Sequence, residues 1–164
     1  MLMQERSESG KLLTLSDEKK RYIEEYVLEI EGYEKTLLPL EENAAVFVNG
    51  QANKIKQEPV HTDKAKFALK IISDLFEEKK RPLRAAAERM EKEFAEMDKM
   101  ISELDERKFA HRIDKINGLR GKLMPHYELI TQFIAKMDAK KMEKLEEAKK
   151  IIMKGHRKEF LEKY

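Results

Sequence analysis

Between Ile23 and Phe47 the apolar residues recur at alternating steps of three and four: Ile23, Tyr26, Ile30, Tyr33, Leu37, Leu40, Ala44 and Phe47. A second run repeats the rhythm at Leu83, Ala87, Met90, Phe94, Met97, Ile101 and Leu104. A mean period of 3.5 places each run on one stripe of an α-helix. A strand, whose faces alternate at every residue, cannot collect such a run on one side. The stripe is narrow, and its natural cover is another helix. Six glycines and four prolines in 164 residues leave few places for a helix to stop. Lys, Glu, Leu, Ala and Met, the better helix formers, dominate between them. The pattern predicts an all-α fold: an elongated helical bundle or antiparallel coiled coil of three to five helices, several of them long.

Residues 1–13 read as a flexible N-terminus and 14–164 as a single helical domain with a connector near 49–61. Thr14-Leu15-Ser16-Asp17 fits a helix start by the capping box, and Ser16 is a second candidate cap. Pro39 predicts a kink or break near Leu37–Leu38, although the apolar seam keeps its phase across it. Two readings stay open at 45–55. Asn49-Gly50 either ends the helix with Gly50 in a left-handed conformation, or turns a type I′ hairpin; the heptad reaching Phe47 favours the helix end. A second helix starts at Thr62-Asp63, carries Phe67, Ala68, Ile71, Ile72, Leu75 and Phe76, and finishes in Lys79-Lys80-Arg81, cations that suit a helix C-terminus. Pro82 then stops it or opens the next helix. The seam from Leu83 ends at Leu104, and a rotated stripe takes over at Phe109, Ile113, Ile116, Leu119 or Arg120, and Leu123. Either the helix runs on with its buried face rotated or it turns at Asp105–Lys108; no Gly or Pro lies at 105–108, which favours continuity. Pro125 predicts another break. The last helix carries Tyr127, Ile130, Phe133, Ile134, Met137, Met142, Leu145, Ala148 and Ile152, with Gly155 as its expected end.

Charge is high and zoned. Lys+Arg number 34 and Asp+Glu 32, 40% of the chain, against roughly 25% in an average globular protein. Residues 17–42 carry nine acids and four bases, and 88–106 eight and three. Residues 107–122 carry six bases and one acid, and 136–163 ten and six. Oppositely charged helices can pair or steer a partner, though exposed pairs contribute little each.

Several chemistries lack their motifs. With no cysteine there is no disulfide scaffold, thiolate site or cysteine nucleophile. The histidines His61, His111, His126 and His156 occur in neither Glu-x-x-His nor His-Glu-x-x-His, so no metal and no cofactor is expected. His111 sits on a helix, but histidine phosphotransfer domains read His-x-x-Lys-Gly, and here Asp114 holds the lysine position. No Gly-x-Ser-x-Gly and no phosphate-binding glycine loop occurs. There is neither an apolar run of membrane-spanning length nor an h-region at the start, so the expected location is cytoplasmic.

What remains is binding. The chain reads as a non-enzymatic helical protein–protein interaction module: an adaptor, chaperone or assembly factor. Its helix-packing seam is Leu83, Met90, Phe94, Met97, Ile101 and Leu104. Its first expected partner is itself, as a homodimer, and its second another protein. The alternative is a nucleic-acid-associated protein using the basic face Arg107, Lys108, Arg112, Lys115, Arg120 and Lys122. Seven of nine methionines lie beyond residue 89, as core or as an adaptable partner surface.

Overall fold

The computed structural model describes the backbone over residues 2–55 and 65–163, and side chains over 17–55, 68–155 and at Arg157. Every described element is helical: α1 (Leu2–Val46), a short irregular helical segment over 47–54, α2 (Ala65–Glu103) and α3 (Ala110–Lys163). The expected start of the second helix at Thr62-Asp63, residues 56–61 of the connector and the side chains of Thr14, Ser16 and Phe67 lie outside the described residues; the backbone of α1 is helical from Leu2, so the first helix does not begin at Thr14–Asp17 as the capping pattern predicts.

The chain divides into two compact units. The first comprises Met1–Leu37 and Glu91–Pro125, the second Leu38–Met90 and His126–Tyr164. Each unit draws a segment from α1, α2 and α3.

In the first unit the α1 seam faces inward. Ile23, Tyr26, Ile30, Tyr33 and Leu37 are buried, with Met97 and Met100 of α2 and Phe109, Ile116, Leu119 and Leu123 from the turn and α3. α1 and α2 run in opposite directions, since Tyr22 meets Glu96 while Tyr26, one turn later, meets Glu93. In the second unit Ala44, Phe47 and Val48 are buried, as are Ile72, Phe76, Leu83 and Met90 of α2 and Ile130, Phe133, Met137, Ala148 and Ile152 of α3. Four of the late methionines, Met90, Met97, Met100 and Met137, are plain core.

Several local expectations are overturned. Pro39, Pro82 and Pro125 all lie inside continuous helices. An interior proline costs about 3 kcal/mol. Here each proline is exposed, as are Lys35, Glu78 and Gly121, whose carbonyls lose their helical donor. Water can serve those carbonyls, while burial of Leu37, Leu83 and Leu123 holds each helix to its course. The hairpin at 45–55 does not form, and Gly50 does not adopt a left-handed conformation. The helical path instead loosens by one residue: the Ala52 amide donates to the Phe47 carbonyl five residues back. That extra residue keeps both Phe47 and Val48 buried. Gly155 does not end α3, which continues to Lys163.

The expected continuity through 105–108 also fails: α2 ends at Glu103 and α3 begins at Ala110. Asp105 makes this turn without glycine or proline. Its carboxylate accepts the Arg107 amide at 2.9 Å, and its carbonyl accepts the Phe109 amide at 2.9 Å. Asp is well suited to such local side-chain-to-backbone turns. Phe109, 6% exposed, then enters the core and anchors the start of α3.

Candidate functional site

Of the six residues of the basic face, four are exposed and two are half-buried. Arg107 and Lys108 lie exposed in the turn before α3, while Lys115 and Lys122 lie exposed on α3 itself, seven residues apart. Arg112 and Arg120 are engaged inside the first unit. Arg112 donates to Glu24 of α1 at 3.2 Å. Arg120 donates to the Phe94 carbonyl of α2 at 2.9 Å, pairs with Asp98, and sets its guanidinium 5.9 Å from the Phe94 ring centre. Basic α3 thus ties itself to acidic α1 and α2, and charge zoning here acts partly within the fold.

The six seam residues divide as well. Leu83, Met90 and Met97 are buried. Phe94, Ile101 and Leu104 are only half-buried, whereas the periodicity alone predicts Phe94 and Ile101 deep in the core. Phe94 is instead a rim residue stacked beneath Arg120.

The second unit holds a polar cluster that motif reading missed. Lys80 is 1% exposed, and its ammonium pairs with Asp138 of α3 and with Glu77 at 2.7 Å. Glu77 also accepts from Lys141 at 2.8 Å and from Arg84 at 2.9 Å. Burial opposes the charge on Lys80, but its hydrogen bonds to Asp138 and Glu77 outweigh that and hold its pKa above the ordinary value. A signal was present in the sequence: Lys80 lies four residues after Phe76 and three before Leu83, on the seam itself. Glu41 and Lys144 also occupy seam positions and are buried, Glu41 against His126.

Hydrogen bonds from Lys141 and Lys80 lower the Glu77 pKa from 4.5 to about 2. A carboxylate depressed by folding contributes stability that is present above its unfolded pKa and is lost as pH falls through the folded one. The parent chain is therefore expected to lose this contribution between about pH 4.5 and about pH 2. Glu77→Gln lacks it at every pH, so the stability gap between the two should close across that window. Parallel urea titrations at stepped pH measure this, and a gap that stays constant would show that the ion cluster does not hold Glu77 in its charged form.

A groove of about 400 Å³ opens between α1 and α2 of the first unit. Ile23, Met100 and Leu104 supply its apolar lining, and Tyr22, Glu18, Glu96 and Glu103, with Lys19 and Lys99, its polar one. The Tyr22 hydroxyl donates to Glu96 at 3.4 Å, and that of Tyr26 to Glu93 at 2.6 Å. Burial, then the hydrogen bond to Glu93, pushes the Tyr26 phenol well above its ordinary pKa, so it remains a donor at any physiological pH. Outside the grooves several large apolar side chains meet solvent. Among them are Met142, 59% exposed although its helical spacing suggested core, and Met153, 69% exposed. Eleven residues separate them, close to three full turns, so both lie on one face of α3.

Among the described residues no cluster of three His, Asp or Glu side chains is arranged to hold a metal, and no helix is long and apolar enough to cross a membrane. No family model, curated protein or solved structure matches the chain.

Proposed function

We propose that the chain is a non-enzymatic, cytoplasmic helical interaction module, an adaptor, chaperone or assembly factor, that binds protein through the outer faces of its helices. The observation that carries this reading is the pair Met142 and Met153. The apolar seams are largely consumed by the chain's own packing, yet these two flexible side chains remain in water on one face of α3. Methionine adapts to varied apolar partners, and an exposed apolar face invites one. Association with another helix, coiled-coil fashion, is the mode such a face favours, and self-association comes first among the partners. The nucleic-acid reading is second, because two of its six cations, Arg112 and Arg120, are engaged with acids of the same unit.

A photo-crosslinking residue placed at position 142 or 153 tests the reading. Irradiation in native extract should give discrete protein adducts that nuclease does not remove. Absence of protein adducts at both positions, together with salt-sensitive retention on a DNA duplex, would replace this reading with the nucleic-acid one.

A further inference from the structure

We infer that the acidic groove of the first unit is a docking site for the basic end of α3 from a second copy of this chain. The inference rests on the interaction-module reading and names its partner. The groove has an apolar floor at Ile23 and Met100 and three glutamates, Glu18, Glu96 and Glu103, among its lining residues. Two lysines, Lys19 and Lys99, also line it and are outnumbered. The helices that form it belong to the two acidic stretches, 17–42 and 88–106, each with five more acids than bases. A complementary ligand is a cationic helix that offers an apolar side chain, since nucleic acid would be repelled by the rim.

The chain carries such a helix. Residues 148–158 hold five bases, Lys149, Lys150, Lys154, Arg157 and Lys158, and no acid. The segment lies in α3, and Met153 within it is 69% exposed. Lys149, Met153 and Arg157 follow at steps of four and so share a face. Among the described residues, Lys149 makes an exposed contact with Glu146 at 3.6 Å. Met153 would occupy the apolar floor while the cations on either side meet the glutamates.

Sedimentation equilibrium of the full chain tests this at micromolar concentration. The parent is expected to self-associate, and to do so at least roughly tenfold more weakly when salt is raised from about 50 mM to about 500 mM. Two charge-reversed variants follow, E18K/E103K in the groove and K149E/R157E on α3, each checked for parental helicity and melting. Each alone should sediment as a monomer, and an equimolar mixture should recover a complex. Recovery on mixing cannot come from misfolded chains. A parent that stays monomeric at low salt, variants that associate like the parent, or a mixture that stays monomeric would each overturn the inference. If crosslinks at 142 or 153 still capture a different protein, the module reading survives that loss; if they capture none, the reading beneath it has failed instead.

Discussion

Replacing Phe76 by alanine is expected to destabilise the second unit by about 3–5 kcal/mol, the usual cost of removing a fully buried phenylalanine. Phe76 is 0% exposed. Its ring meets that of Phe47 edge-on, centroids 5.3 Å apart and planes at 73°. Truncation therefore removes both the burial and an aromatic pair that links α2 to the segment after α1. For a chain of this size the corresponding loss in Tm is roughly 6–20 °C. Phe94→Ala is the comparison. That ring is half-buried under Arg120, so its loss should fall well below the Phe76 figure. Thermal melts of the two variants beside the parent decide the matter, and equal losses would mean that Phe76 does not sit at the centre of a packed core.

The second large effect is expected at Lys80, and it depends on what replaces the lysine. Removing one partner of a buried ion pair typically costs about 3–5 kcal/mol, because the other charge loses its compensation. Here Asp138 and Glu77 keep 51% and 36% side-chain exposure, so water relieves both. Lys80→Ala should therefore fall near the lower end, at about 3 kcal/mol, much of it from the cavity left by the stem. Lys80→Met fills the same volume without charge and should stay within about 1 kcal/mol of the parent. Lys80→Glu sets a third acid against Glu77 and Asp138 at a buried position and should prevent the second unit from folding. Urea unfolding of the three variants gives the order Met, Ala, Glu. A methionine variant as unstable as the alanine one would show that the ion cluster stabilises the fold in its own right.

The legible part of the fold was the inward face of each helix. Seven of the eight α1 seam positions, all but Leu40, are buried. The stripe from Phe109 to Leu123 is likewise mostly interior, but the shift in register at Leu104 did not by itself tell a turn from a helix running on with its buried face rotated. Prolines misled, because the cost of one interior proline is smaller than the burial on the helix faces around it. The candidate site was less legible. Helical spacing could bring Arg112 and Lys115 onto neighbouring positions, but it could not tell that Arg112 already has Glu24 of α1 as its partner.

The sequence by itself determined that the chain is helical and which stripe of each helix turns inward, because both follow from side-chain spacing over a few turns. Only the tertiary structure decided that Lys80 is buried against Asp138, 58 residues away, and that Arg120 serves Asp98. It alone decided that α2 stops at Glu103 and that Met142 faces water. Each of these depends on which other helix lies alongside. That is settled by the summed burial and charge pairing of segments far apart in the chain, which no local period contains.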